Sequence, residues 1–202
     1  MTTWSCARMI ESCGEGGIRT REPFGYPLSK RAHSATMRPL PASFVLFENY
    51  RVYDVRIERT TACPTAVVQA NTTWREFPAL WRPLLDEVWA FLRENPGLRS
   101  DGHNVMLYRR GDPGVEVAVE VGVQVTAPFT ARGRVVPSTL PAAATATTVH
   151  TGAPADIGAA HAAVRAFCSA QRRDVTGRSW EIYGDPDPKT GHFDVSVYWE
   201  LA

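Results

Sequence analysis

One short segment near the C-terminus contains the residues whose chemistry is most informative. In segment 179–183, Glu181 and Tyr183 alternate with Trp180 and Ile182. Successive side chains of a strand point to opposite faces, so the carboxylate and the phenol share one face and the two apolar side chains share the other. Aromatic rings attract cations and stack with planar groups, for about 0.5 to 2 kcal/mol each, and a carboxylate supplies the opposite charge. This face therefore suits a planar or cationic small molecule.

The same pattern occurs once more, earlier in the chain. Met106 and Tyr108 precede Glu181 and Tyr183 by 75 residues, and the offset stays between 75 and 77 residues over two long stretches. A constant offset of this length indicates an internal duplication. The copies differ where Met106 corresponds to Glu181, so only the second copy has a carboxylate at this position.

Each copy predicts strands around one helix. In the first, short strands near 55–57 and 66–68 are expected to be broken at Cys63 and Pro64, because proline cannot donate to a sheet ladder. Thr73 and Glu76 fit a capping box at the start of a helix that ends at 95–97. Two strands follow, the second of which alternates valine with other residues from 115 to 125.

The second copy repeats this order. Strands within 133–149 bend at Leu140, a helix begins near Pro154 with Asp156 in its first turn, and two strands complete the copy. We therefore predict an α+β fold made of two β-α-β-β repeats, with two helices on curved antiparallel sheets, a pseudo-twofold axis and a central ligand cleft.

The strand alternation also predicts which residues line that cleft. Apolar pairs in the central strands are expected to lie under the helices, which leaves four residues on the uncovered faces: Met106, Tyr108, Glu181 and Tyr183. Trp74 is added as a ligand-binding candidate because it stands at the entrance to the first helix. Trp180 is assigned to the core. His150 and His161 are interpreted as structural, since neither has a second ligand at metal spacing or a nucleophile partner. No metal or cofactor is expected.

Composition limits the classes of partner. The 202 residues have a net charge of +1, which gives no field to attract nucleic acid, and direct nucleic-acid binding is not expected. No apolar run approaches the ~20 residues of a membrane helix, and no signal peptide is apparent, so no membrane partner and a cytoplasmic location are predicted. The cysteines lack metal-ligand spacing and are interpreted as reduced thiols: Cys6, Cys13, Cys63 and Cys168.

The N-terminal residues differ from the rest. Residues 1–50 show neither a strand nor a helix period, so they are predicted to be a disordered or mis-annotated extension, with the true start at Met37 or Val52. Residues 52–202 are predicted to form the folded domain.

Several motifs in this region carry a family resemblance. They are Trp-Glu-Ile-Tyr at 180–183 after Gly177, Leu-Pro-Ala at 140–142, Val-His-Thr-Gly at 149–152 and the valine-rich strand with Glu120 and Gly122. Together they resemble the GyrI-like (gyrase-inhibitor-like) domain, which is related to the effector-binding domains of AraC-type and MerR-type regulators. The resemblance implies a small-molecule-binding module with a central pocket in which Glu181 reaches the ligand. This chain departs from the family at 152–154, which read Gly-Ala-Pro where Gly-Pro-Tyr is usual.

Three functions remain open at this point. The first is a stand-alone bacterial protein that binds a xenobiotic or effector and has no preceding DNA-binding region, and it is favoured because no catalytic motif is evident. The second, which the resemblance allows, is a hydrolase of cyclopropane-bearing DNA-alkylating compounds, with Glu181 and Tyr183 as catalytic residues. The third is a protein-interaction module that modulates DNA gyrase, so that gyrase or a regulator would be the partner.

Overall fold

The computed structural model describes residues 53–99, 102–110, 117–189 and 192–202. The predictions for the N-terminal extension, Cys6 and Cys13 lie outside these residues, and the domain boundary stays a prediction. Eight strands and two α-helices follow one another in these segments: β1 (Arg56–Arg59), β2 (Cys63–Thr72), α1 (Phe77–Glu94), β3 (Asn104–Arg110), β4 (Val117–Gln124), β5 (Val135–Leu140), β6 (Ala144–Thr151), α2 (Ile157–Ala170), β7 (Val175–Tyr183) and β8 (Asp194–Leu201).

All eight strands belong to one antiparallel sheet, in the order β1-β6-β8-β7-β3-β4-β2-β5. Each half of the chain contributes two strands, a helix and two further strands, so the predicted α+β fold with duplicated repeats is confirmed. The predicted strand break at Cys63 and Pro64 is wrong, because the break lies at 60–62. Pro64 is the second residue of β2, a position near a strand start that tolerates a missing N–H.

The strand order requires the sheet to curl. β1 and β2 are joined by only three residues but lie six strand positions apart, and the same holds for β5 and β6. Six spacings of a flat sheet measure about 29 Å, whereas such a link reaches only about 14 Å. The sheet edges therefore approach each other. Thr60 joins the two links, since its N–H donates to Ala143 O (2.9 Å) and its Oγ1 donates to Pro141 O (2.8 Å).

The two halves meet at the centre of the sheet, where β3 pairs with β7. In this pairing Met106 lies directly opposite Glu181. The same two residues are related by the 75-residue offset of the duplication. Met106 and Glu181 thus pair across the two strands and also occupy equivalent positions in the two copies. The pseudo-twofold axis that relates the copies therefore passes between them. The position at which only the second copy has a carboxylate thus lies at the middle of the sheet.

Both helices cover the same face of this sheet. Helix α1 packs against β2 and β4, and α2 packs against β6 and β8. Met106 and Tyr108 belong to the core under α1, which also contains Leu84, Val88 and Val121. The register of β7 with β3 and β8 places Glu181 on this face as well. The prediction that these polar and aromatic residues lie on faces without helices is wrong.

The opposite face explains that error. Val105, Leu107 and Trp180 form a separate buried cluster there, against Leu140 and Tyr198. Because the sheet curls until its edges meet, this second face is closed by the sheet itself and forms an apolar core without a helix. The predicted alternation of side chains is correct, and Trp180 belongs to the core as predicted, at 1% exposure. The helices, however, cover the face of Glu181 and Tyr183 and not the face of Trp180 and Ile182.

The helix boundaries follow local signals. The predicted pair Thr73 and Glu76 is hydrogen-bonded in the turn before α1, with Glu76 N–H donating to Thr73 Oγ1 at 3.3 Å. At the other end, Asn95 Nδ2 donates to Phe91 O at 2.8 Å and satisfies a terminal carbonyl. Helix α2 buries a narrow stripe of small residues, Ala160, Val164 and Cys168, as predicted.

Two further sequence-based expectations concern the described residues. Cys63 and Cys168 are free thiols, and burial raises the pKa of both, which favours the protonated form. Neither of the two helices is both long enough and apolar enough to cross a membrane.

Candidate functional site

The carboxylate of Glu181 is the centre of a buried polar cluster. Glu181 is 2% exposed and accepts three hydrogen bonds. Tyr108 Oη and Tyr183 Oη donate to Oε2 at 3.0 and 2.6 Å, and His161 Nε2 lies 2.8 Å from Oε1. The elements that supply these donors are β3, β7 and α2, so the carboxylate lies where both halves of the molecule meet. The protein thus occupies three of the roughly four lone-pair positions of the carboxylate, two on Oε2 and one on Oε1.

Burial and charge keep both phenols protonated. Burial, then the charge of Glu181, raises the pKa of Tyr108 well above its ordinary value, and the same causes raise that of Tyr183. The sulfur of Met106 lies against both hydroxyls, at 3.4 Å from Tyr108 Oη and 3.5 Å from Tyr183 Oη. The phenols therefore act as neutral donors to the carboxylate, and a polarizable thioether fills the space beside them.

The raised tyrosine pKa values predict a loss of stability at alkaline pH. In the unfolded chain each phenol loses its proton near pH 10, whereas the folded protein still holds it, so the free energy of unfolding falls as pH rises above about 10, by up to about 1.4 kcal/mol per pH unit for each tyrosine. The double variant Tyr108→Phe, Tyr183→Phe should show a shallower fall in urea denaturation between about pH 9 and 11. Equal slopes for the two proteins would contradict the assignment.

Aromatic rings extend from this cluster to the surface at the start of α1. The centre of the Trp74 ring lies 5.2 Å from that of Tyr108, and the centre of the Phe77 ring lies 5.6 Å from it. Trp74 is 61% exposed, which is unusual for a large apolar side chain. An exposed indole thus lies against a buried phenol that is itself hydrogen-bonded to the carboxylate.

Glu181 differs from the other buried glutamates in the described part of the chain. Glu120 pairs with Arg109 at 2.9 Å, and Glu200 pairs with Arg178 at 2.8 Å. For Glu181, the corresponding partner among the described residues is the imidazole of His161, which is charged only when it is protonated on both nitrogens. Buried carboxylates are usually paired with a cation. Among these three, Glu181 is therefore the one without a guanidinium to balance its charge.

The ring of His161 has a second hydrogen bond. Trp199 on β8 donates its indole Nε1–H to His161 Nδ1 at 3.0 Å. Beyond it, the guanidinium of Arg165 lies 5.5 Å from the centre of the Trp199 ring. A chain of contacts thus leads from the carboxylate through imidazole and indole toward a surface cation.

The structure brings all five predicted site residues together: Glu181, Tyr183, Tyr108, Met106 and Trp74. Sequence reasoning missed His161 and Trp199. The sequence predicts a structural role for His161, yet this residue follows Ile157 by four positions and thus lies on the buried side of α2. Trp199 continues the alternation of Val195 and Val197, which places it on the helix-covered face.

His150 is structural as predicted, since it bridges Tyr53 Oη (2.8 Å) and Ala153 O (2.9 Å).

Two other kinds of site, a metal centre and a surface groove, were sought among the described residues. They contain no group of three or more histidine, cysteine or acidic side chains placed to hold a metal ion. An open, polar groove at the end of α2 is lined by residues 171–174 and 201–202 and includes none of the site residues.

Known structures share this architecture, although no protein-family profile matches the sequence and no curated protein matches it significantly. The C-terminal domain of EcmrR aligns with a TM-score of 0.62 over 75% of this chain and 98% of that domain, at 15% identity. SAV2435 bound to tetraphenylphosphonium aligns with a TM-score of 0.52 over 74% of this chain and 94% of that one, at 10% identity. The chain has the GyrI-like effector-binding fold.

An integron cassette protein from Vibrio cholerae shares the GyrI-like fold with this chain. It aligns with a TM-score of 0.52 over 74% of this chain and 97% of that one, at 12% identity. Each of these three likenesses is at 15% identity or less and shows the fold alone. The likeness therefore concerns the arrangement of strands and helices, whereas the contacts of Glu181 are observed in this chain's own structure.

Proposed function

We propose that this protein binds lipophilic aromatic cations through Glu181. The observation that carries the proposal is the contrast among the three buried glutamates: two are paired with arginine, and Glu181 is not. A buried negative charge without a balancing cation favours the entry of one from outside. The aromatic rings beside it add attraction for the same kind of ligand.

The hydrogen bonds of the carboxylate narrow the class of cation. Both oxygens of Glu181 already accept hydrogen bonds from the protein, which leaves only about one lone-pair position, on Oε1, for a ligand that donates a hydrogen bond. A quaternary phosphonium or ammonium ion has no such donor and interacts through charge and apolar contact alone. Tetraphenylphosphonium, which SAV2435 binds in a solved structure of the same fold, is of this type.

The aromatic residues would supply the walls of the site. Trp74 is exposed and in contact with Tyr108, so it is the side chain best placed to move aside and then pack on an entering ring. Tyr183 and Met106 would form the floor beside the carboxylate. In this arrangement the ligand lies between the starts of α1 and α2, over the pseudo-twofold axis.

We further propose that the protein acts in the cytoplasm as a binder of xenobiotics or effectors. No observation favours the hydrolase alternative. No observation favours the gyrase alternative either.

The test compares two ligands of nearly equal shape. Methyltriphenylphosphonium carries a positive charge, whereas triphenylphosphine oxide is neutral. Titration calorimetry of the full chain should give a Kd at least about tenfold lower for the phosphonium, the minimum expected for a charge facing a desolvated carboxylate. Equal affinities, or tighter binding of the oxide, would contradict the proposal.

A further inference from the structure

The imidazole of His161 is held on both sides by groups with fixed hydrogen-bonding roles. Its Nδ1 lies 3.0 Å from Trp199 Nε1, and its Nε2 lies 2.8 Å from Glu181 Oε1. The side chain is 15% exposed, so most of the ring is shielded from water. The protonation of this ring therefore follows from what each partner is able to donate or accept.

The partners assign one proton to the ring. An indole N–H only donates, and an ionised carboxylate only accepts. Nδ1 must therefore be unprotonated to accept from Trp199, and Nε2 must carry the proton that points at Glu181. A doubly protonated ring would place an N–H on Nδ1 against the N–H of Trp199, which would break one hydrogen bond and leave two donors facing each other.

The surroundings of the ring favour the same state. Tyr108 on β3 lies 6.3 Å from it, ring centre to ring centre, and is a neutral phenol. Arg165 on the same helix holds its guanidinium over Trp199, so it adds a positive charge on the side where the second proton of His161 would be. Only Glu181, among the groups that contact this ring, would favour that proton.

We propose that Trp199 sets the charge of the binding site by holding His161 neutral. As a neutral donor, His161 orients the carboxylate without cancelling its charge. If His161 took a second proton it would form an ion pair with Glu181 and remove the attraction for a cation. Trp199 is thus a positioning residue for ligand charge selectivity, and the inference rests on the proposed function for its consequence.

The first test needs no ligand and is independent of the proposed function. Long-range ¹H–¹⁵N correlation spectra of the histidine rings report which nitrogen carries a proton. In the wild type, His161 should keep Nε2 protonated and Nδ1 bare from about pH 8 to about pH 5, the range in which histidine ordinarily titrates. In Trp199→Phe, Nδ1 should gain a proton over that range. A wild-type ring with a proton on Nδ1, or identical behaviour of the two proteins, would overturn the inference.

The second test measures the consequence for binding. The wild-type Kd for methyltriphenylphosphonium should change less than about threefold between about pH 8 and 5.5, whereas Trp199→Phe should lose about tenfold or more at the lower pH. His161→Gln in the Trp199→Phe background supplies a neutral donor in place of the imidazole and should remove that pH dependence. A pH dependence that persists in the double variant would contradict the role of His161.

A second replacement keeps the test decisive if Trp199→Phe does not fold. A benzothiophene side chain at position 199 keeps the shape of the indole but has sulfur in place of the N–H, and it should reproduce the spectral change. If the spectra behave as expected and no variant binds the phosphonium, the proposed function fails while the assignment of the ring stands. If the phosphonium binds and the spectra do not change, only the role of Trp199 fails.

Discussion

Glu181→Gln is expected to weaken binding of methyltriphenylphosphonium by about 1 to 3 kcal/mol, or about 5- to 150-fold in Kd. Glutamine keeps the size of the side chain and can still accept from Tyr108, Tyr183 or His161 through its amide oxygen, but it carries no charge. A neutral ligand loses little by this change. The Kd for triphenylphosphine oxide should therefore stay within about threefold of the wild-type value.

The matched control for this substitution is Glu120→Gln. Glu120 is also a buried glutamate of the central sheet, but it lies on the opposite face and pairs with Arg109. Its replacement should leave the binding of both ligands unchanged. An equal loss for cation and oxide in Glu181→Gln would mean that Glu181 shapes the fold rather than attracting charge, and a loss of cation binding in Glu120→Gln would mean that the site is elsewhere.

Gly122→Ala is expected to reduce the free energy of unfolding by at least about 3 kcal/mol, at the upper end of overpacking effects. Gly122 lies in β4 opposite Val67 of β2. A Cβ atom at Gly122 would lie 2.0 Å from Ala66 O and 2.8 Å from Val67 Cα. Because these are backbone atoms of the neighbouring strand, they cannot move aside as a flexible side chain would. The pair β2 and β4 would have to separate, and α1 packs on both strands.

Gly158→Ala provides the matched control, because it makes the same chemical change where there is space. Nothing lies within 4 Å of a Cβ at Gly158, which is in α2. Alanine is the better helix former, so this variant should be unchanged or more stable by up to about 1 kcal/mol. Urea denaturation followed by circular dichroism separates the two cases. A Gly122→Ala protein within about 0.5 kcal/mol of wild type would contradict the strand packing described above.

The sequence predicts which residues lie together on one face of the sheet, but it does not predict what covers that face. The duplication relates Met106 to Glu181, and the alternation of β7 groups Glu181 with Tyr183, and both relations hold in the structure. Alternation alone, however, defines two faces without saying which one a helix covers. That choice depends on the curl of the sheet, which closes the face of Trp180 on itself. Curl follows from the order of strands distant in sequence, and no local pattern contains it.

His161 and Trp199 illustrate a second limit. Each has a local signal for burial, since His161 lies one turn after Ile157 and Trp199 follows the alternation of β8. Their hydrogen bond joins residues 38 positions apart, and the bond from His161 to Glu181 joins residues 20 apart. Both hydrogen bonds depend on how α2 packs on the sheet. In the sequence alone, a histidine that binds a buried carboxylate therefore looks the same as a histidine that fills the core.

The most direct test of the central claim is a crystal structure of the protein with methyltriphenylphosphonium. We expect the phosphorus between the starts of α1 and α2, within about 6 Å of the Glu181 carboxylate, the range over which opposite charges interact strongly. Trp74 should pack on one of the phenyl rings. A ligand bound on the opposite face of the sheet, or no ligand near Glu181 at a concentration that saturates the protein in solution, would contradict it.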